Sequence, residues 1–71
     1  MKEKKINQII SYQLVKAREE LGITQMKVQE DKIISQSNLS KIENGMKKIS
    51  AAKLFLLAEY YKKPIEYFFK K

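Results

Sequence analysis

Apolar side chains recur at helical spacing through the first third of the chain, with charged residues between them. These apolar positions are Ile6, Ile10, Leu14, Ala17 and Leu21. Spacings of three and four residues place side chains on one face of a helix, so the pattern predicts a helix over residues 6–21. Gly22 is expected to end this helix, because glycine adopts the left-handed conformation at low cost. Residues 1–5 can be flexible.

A short second helix is predicted over residues 25–32. Thr24 precedes it, and a threonine side chain can cap a helix by accepting a backbone N–H bond. Met26, Val28 and Ile33 are the apolar positions that we expect to turn inward.

A third helix is predicted over residues 36–44. Ser35 is its expected cap, Leu39 and Ile42 lie three residues apart on its apolar side, and Gly45 is expected to end it. Two short helices separated by about three residues are typical of a helix-turn-helix unit. An ordinary corner between two helices has similar spacing, so spacing alone does not decide between them.

The last third of the chain predicts two further helices. Ser50 can cap a helix whose apolar side carries Ala51, Leu54, Leu57, Ala58 and Tyr61. Pro64 suits the first turn of a final short helix that contains Ile65, Phe68 and Phe69. No segment shows the alternation of a strand. The sequence therefore predicts a compact all-α fold of five helices, with residues 1–71 forming one domain.

Composition removes several classes of function. The 71 residues include no Cys and no His, so neither a disulfide nor a usual zinc site is expected, and we expect no metal and no cofactor. No catalytic set or Gly-rich phosphate loop is present, so we expect no enzyme. No apolar run approaches the roughly 20 residues that a membrane span needs. We expect a cytoplasmic protein.

Charge adds a class of partner. Fifteen Lys and Arg against eight Asp and Glu give a formal net charge of +7. Such an excess favours binding to DNA, RNA or an anionic membrane surface, although charge also serves solubility alone. The basic residues are spread over several helices, which argues against a membrane-binding amphipathic face.

The start of the third helix carries side chains that can read DNA bases. These are Gln36, Ser37 and Asn38, followed one turn later by Lys41. Gln and Asn can make paired bonds to adenine, Ser can bond to several base edges, and Lys can reach guanine. Polar residues are also common on any solvated helix face, but on a basic chain we favour base contacts.

Contacts to the phosphate backbone need donors that lie beside the reading helix. Gln25 begins the second helix and Ser35 precedes the third, while Asn44, Lys47 and Lys48 follow it. We expect these five residues to contact phosphates, the alternative for the two lysines being a loop made soluble by charge.

Arg18 and Glu43 form a structural candidate. Arg18 follows Ala17 on the apolar side of the first helix, and Glu43 follows Ile42. If both are partly buried they should pair, because an unpaired buried charge is costly. Such an ion pair would lock the third helix to the first.

Aromatic residues are concentrated near the end of the sequence given. Tyr67, Phe68 and Phe69 together exceed what a small core needs, so we expect an interface with a second subunit or domain there. For Phe69, core and interface are equally open, and for Phe68 the core is favoured.

Residues 14–69 together resemble the lambda-repressor/Cro-like helix-turn-helix regulators, also called the xenobiotic-response-element family. The likeness rests on three runs: LVKAREELGITQ (residues 14–25), SQSNLSKIENG (35–45) and PIEYF (64–68). The second run, followed by Lys48-Ile49-Ser50, is also similar to the amino-terminal domain of Rgg/MutR-like regulators, which carry a helical peptide-sensing region after it. A fragment of such a protein would have that carboxy-terminal domain as a partner.

The resemblance implies a lambda-repressor-like fold and particular roles. It implies base reading at Gln36, Ser37 and Lys41, with Asn38 close to them. It also implies a phosphate contact at Gln25, backbone contacts at Asn44 and Lys47, and a buried pair of Arg18 with Glu43.

Three positions depart from the family pattern. The family usually has Ala at position 29, an apolar residue at 32 and Gly at 33, where this chain has Gln29, Lys32 and Ile33. A positive φ is costly for a β-branched residue. The turn is therefore expected to have another geometry, with Ile33 replacing Lys32 in the core.

The leading hypothesis is a bacterial or phage transcriptional regulator, such as a repressor, that binds double-stranded DNA as a homodimer on a palindromic operator. A protein-interaction module, such as an antitoxin or an anti-repressor partner, is the alternative, and the aromatic group at residues 67–69 motivates it. Binding to a membrane surface ranks third.

Overall fold

The computed structural model describes residues 2–70, which form five helical elements. They are α1 (Glu3–Glu20), α2 (Gln25–Glu30), α3 (Gln36–Glu43), α4 (Ala51–Tyr60) and a 3-10 helix (Ile65–Phe69). Residues 2–70 contain no β-strand. The all-α prediction is confirmed, although only four of the five predicted helices are α-helices.

Two helices differ from the predicted bounds by more than one residue. The first begins at Glu3, where a carboxylate suits the positive end of the helix dipole, so residues 3–5 belong to the helix. Met1 lies outside the described residues. The second ends at Glu30, two residues early, and Met26 on it is exposed instead of turned inward. Val28 points into the core, and two residues correspond to about 200° of helix rotation, which directs Met26 the other way.

Side chains from all five elements, and from the turn before α3, meet in one core. Its buried members are Ile10, Leu14, Ala17, Val28, Ile34, Leu39, Ile42, Leu54, Leu57, Ala58, Tyr61 and Phe68. Leu39 and Ile42 fix one side of α3 against this core. The remaining side of α3 therefore faces outward.

All four α-helices end in the same backbone motif. The second residue beyond each helix has a positive φ, at Gly22, Lys32, Gly45 and Lys62. In each case its N–H and the following N–H bond back to carbonyls of the last turn, which is the pattern of a Schellman motif. Two of these four positions carry a lysine, for which the left-handed conformation is less favourable than for glycine.

The turn between α2 and α3 is formed around Lys32. Lys32 takes the left-handed conformation with φ of 62°, and its N–H bonds to the Gln29 carbonyl at 2.9 Å. Ile33 is spared a positive φ and packs partly against the core, while Ile34 is buried. The left-handed residue of this turn is thus Lys32 and not Ile33, and Lys32 stays in solvent.

The 3-10 helix is held against α1 by one buried amide. The side-chain NH2 of Gln13 donates to the carbonyl of Tyr67 at 3.2 Å and also to the carbonyl of Lys70. Phe68, between them, is fully buried. The core position that the sequence favoured for Phe68 is therefore confirmed, and its inclusion among the interface residues is wrong, because its ring completes the core.

Within residues 2–70, no helix combines the length and the apolar character that a bilayer crossing requires.

Replacing Lys32 by Gly should raise the free energy of unfolding by about 1 kcal/mol, since glycine lacks the Cβ that makes the left-handed conformation costly. Lys32→Ala is the matched control, because it removes the same charge and keeps the Cβ. Urea denaturation of both variants measures the difference. Equal stabilities of the Gly and Ala variants would contradict a positive φ at this position.

Candidate nucleic-acid interface

The first turn of α3 presents the residues predicted to read bases. Gln36 and Asn38 are partly exposed, Ser37 and Lys41 are exposed, and the core residue Leu39 lies on the other side. The structure therefore brings the four predicted base-reading side chains to the outward side of one short helix.

Side chains occupy two of the backbone N–H groups that open α3. Ser35 is the N-cap, and its hydroxyl oxygen accepts from the Asn38 N–H at 3.2 Å. The Gln29 side chain on α2 accepts from the Gln36 N–H through Oε1 at 2.7 Å. The Ser35 hydroxyl retains its own hydrogen for an acceptor outside the protein, such as a phosphate.

Both lysines of the segment after α3 have polar partners in the protein. Lys47 donates from Nζ to Asn38 Oδ1 at 2.9 Å, which joins a predicted phosphate contact to a predicted base reader. Lys48 pairs with Glu3 at 2.8 Å, and both of these side chains are largely exposed. Exposed pairs of this kind contribute little to stability, so they can exchange for a phosphate at small cost.

The pairing with Lys48 also changes the pKa of Glu3. The hydrogen bond from Lys48, supported by its charge, lowers the pKa of Glu3. Asn44, the remaining predicted contact after α3, is the exposed C-cap residue of that helix.

A buried ion pair holds the carboxyl end of α3. Arg18 Nε donates to Glu43 Oε2 at 2.8 Å and its second guanidinium nitrogen donates to Oε1 at 3.1 Å. The side chains are 14% and 4% exposed, respectively. The bonds to Glu43 raise the pKa of Arg18, against the opposing effect of burial. The predicted juxtaposition of Arg18 and Glu43 is present in the structure.

Two more contacts converge on this end of α3. Gln25 donates from Nε2 to Glu43 Oε1 at 2.8 Å, so the first residue of α2 shares the same carboxylate. The buried hydroxyl of Ser11 donates to the Ile42 carbonyl at 2.7 Å. Gln25 was predicted as a phosphate contact, and its amide keeps a second N–H for that role.

The turn before α3 is held by two side chains of α4. Lys53 Nζ donates to the Ile33 carbonyl at 2.8 Å, and the Tyr60 hydroxyl donates to Asp31 Oδ2 at 2.6 Å. Burial, together with the bond to Asp31, raises the pKa of Tyr60 to about 12. The same bond, followed by the one from Lys27, lowers the pKa of Asp31.

Of the three residues in the predicted aromatic interface, only Tyr67 and Phe69 reach the surface. Tyr67 is partly buried, with the Lys63 ammonium 4.7 Å from its ring centre, and Phe69 is 47% exposed. On α4, Phe55 and Leu56 are also exposed, which the helical pattern did not predict as a surface.

Sequence reasoning missed most of these contacts, and three of them join the helix-turn-helix residues most directly. The Gln29 cap, the Gln25–Glu43 bond and the Tyr60–Asp31 bond each join residues that are seven or more positions apart. No local sequence pattern marks them, because each depends on how the helices pack.

Comparison with known proteins gives one family. A model described as helix-turn-helix matches residues 14–68, which is most of the chain. Searches of curated proteins and of solved structures found no match.

Replacing Glu43 by Ala should lower the free energy of unfolding by about 3–5 kcal/mol, because it leaves the Arg18 charge buried without its partner. Glu3→Ala, which removes a carboxylate from an exposed pair, is the control and should change stability by less than about 1 kcal/mol. Urea denaturation at neutral pH compares them. Similar losses in the two variants would show that the Arg18–Glu43 pair contributes no more to the free energy of unfolding than the exposed Lys48–Glu3 pair.

Replacing Asp31 by Asn should lower the pKa of Tyr60 from about 12 towards the ordinary value of about 10. Tyr60 has a raised pKa, so its contribution to stability is complete below the unfolded value and is lost as pH rises through the folded value. The tyrosinate absorbance that disappears in Tyr60→Phe identifies the transition. An unchanged midpoint in Asp31→Asn would argue against the bond.

Proposed function

The chain belongs to the lambda-repressor/Cro-like helix-turn-helix family of DNA-binding regulators, and we propose that it regulates transcription by reading a specific DNA sequence with α3 in the major groove. The observation that carries this proposal is that α3, which is held at both ends, exposes polar side chains that can bond to base edges. A major groove about 12 Å wide admits such a helix.

Within the proposal, Gln36, Ser37, Asn38 and Lys41 contact base edges. The first three lie in the opening turn of α3 and Lys41 about one turn later, the part of a recognition helix that meets bases. Asn38 already accepts a bond from Lys47. The side-chain oxygen of Asn38 is thus occupied, and its NH2 group remains to donate to an acceptor on a base.

Phosphate contacts are proposed for the residues that border α3 on both sides. Gln25 and Ser35 precede it, while Asn44, Lys47 and Lys48 follow it. Because α2 begins beside the carboxylate that holds α3, a phosphate on Gln25 would be positioned by the same ion pair. The net charge of +7 adds a sequence-independent attraction to DNA.

We further propose that two copies bind a palindromic operator. One α3 would occupy each half-site, with the half-sites about 34–36 Å apart along the duplex. As a regulator of bacterial or phage DNA, the protein would act in the cytoplasm.

A second candidate function is a protein-interaction module, such as an antitoxin or an anti-repressor partner. The exposed Phe55, Leu56 and Phe69 favour it, because large apolar side chains in solvent are typical of binding surfaces. Partner binding that survives Lys47→Ala and Lys48→Ala, with no mobility shift on DNA at low salt, would support this function over DNA reading.

Gln36→Ala should relax the preference at one base pair by roughly 5- to 150-fold, because a paired amide–base contact discriminates by about 1–3 kcal/mol. Lys48→Ala should weaken binding to all duplexes alike and lower the slope of log affinity against log salt by about one unit. Lys48 is preferred to Lys47 for this test because Lys47 also contacts Asn38.

The probes are a randomised duplex pool and the sequence that wild-type protein selects from it, each measured by mobility shift at two salt concentrations. Lys70→Ala is the charge-matched control outside α3 and its flanking segments. Equal losses on selected and random duplexes for Gln36→Ala would refute base reading by this residue. A wild-type protein that selects no sequence would refute the proposed function.

A further inference from the structure

The side chain of Gln29 links α2 to the first residue of α3. Its Oε1 accepts the Gln36 N–H at 2.7 Å, across seven residues and the tight turn. Gln29 is itself exposed, and its amide nitrogen lies 3.6 Å from Met26 Sδ on the same helix. The bond therefore lies at the surface of the α2–α3 corner, on the side where α3 begins.

This contact occupies a backbone group that a helix cannot satisfy internally. The first N–H groups of an α-helix have no acceptor within the helix, and Gln36 is the first residue of α3. The Ser35 hydroxyl takes the N–H of Asn38, so the backbone is fixed on both sides of Ser37. The directions of the side chains in this turn follow from the backbone.

The two ends of α3 are held by different means. Its carboxyl end is anchored by the buried Arg18–Glu43 pair and by Ser11 on the Ile42 carbonyl. Its amino end is tied to α2 through Gln29. A loss of this tie would free the turn that carries Gln36 without removing the anchor at the other end.

We propose that Gln29 is a positioning residue for DNA specificity: its carbonyl holds the backbone of Gln36 so that the Gln36 side chain meets one base edge. The inference rests on the proposed function, since it assigns Gln29 a part in the reading of that base. Gln29 acts through Gln36 and needs no DNA contact of its own.

Two substitutions separate the acceptor from the bulk of the side chain. Gln29→Met keeps the length of the side chain and removes its oxygen, whereas Gln29→Glu keeps an acceptor in the same place. The first readout needs no DNA: amide hydrogen exchange at Gln36, followed by NMR. The Gln36 N–H should exchange about 2- to 10-fold faster in Gln29→Met, the range expected for one hydrogen bond, and remain protected in Gln29→Glu.

The second readout is the sequence selected from a randomised duplex pool. Gln29→Met should lose preference by about 2- to 10-fold at the base pair affected by Gln36→Ala, and adding Gln29→Met to Gln36→Ala should cause no further loss there. Gln29→Glu should bind all duplexes more weakly, because its carboxylate approaches the phosphates, and yet retain the preference at that base pair. A merely structural role for Gln29 would not confine the effect to one base pair.

Three outcomes would overturn the inference. Unchanged Gln36 exchange in Gln29→Met would remove the hydrogen bond on which it depends, whatever the protein does with DNA. Faster exchange with an unchanged selected sequence would reduce Gln29 to a helix cap. If Gln36→Ala leaves the selected sequence unaltered, the assignment of Gln36 fails and the positioning role falls with it, while the exchange data still report the cap separately.

Discussion

The ion pair between Arg18 and Glu43 is the contact on which the orientation of α3 depends. It joins the longest helix to the end of the proposed recognition helix in a nearly dry setting. Burying these charges is favourable only while each keeps its partner, since the desolvation penalty is otherwise uncompensated. The same carboxylate also accepts from Gln25, so one buried group sets the positions of α1, α2 and α3 together.

Weaker polar contacts hold the rest of this unit at the surface. Lys53 and Tyr60 on α4 bond to the turn, and Gln29 bonds to the start of α3. The Tyr60 and Gln29 bonds are exposed, whereas the Lys53 bond is part-buried like the ion pair, and none of the three joins two charged groups as closely as Arg18 and Glu43 do. Two of these bonds lie at the turn before α3 and the third at its first residue, so together they hold the segment that leads into the proposed recognition helix. The Arg18–Glu43 pair holds the carboxyl end of α3, and the weaker bonds hold its amino end and the turn before it.

The parts of the structure that follow from local chemistry were predictable. Ser35 as a cap, Leu39 and Ile42 at core spacing and Gly45 after the helix define α3 nearly to the residue. The Arg18–Glu43 contact also followed, from charge beside apolar positions. The cost of a positive φ at Ile33 predicted a different turn, but it did not identify Lys32 as the residue that takes the left-handed conformation. The Gln29 contact likewise depends on a turn geometry that no short pattern encodes. The sequence favoured the core for Phe68 but left Phe69 open, because the exposure of Phe69 depends on the fit of the 3-10 helix to α1.

We propose that DNA contact lies on α3 and on the segment that follows it. The most direct measurement is an NMR titration of the protein with a random-sequence duplex at low salt, followed through its backbone amides. We expect the largest shift changes in residues 35–48, with smaller ones at the start of α2. Changes centred on the exposed face of α4 or on the 3-10 helix, or no changes at all, would contradict it.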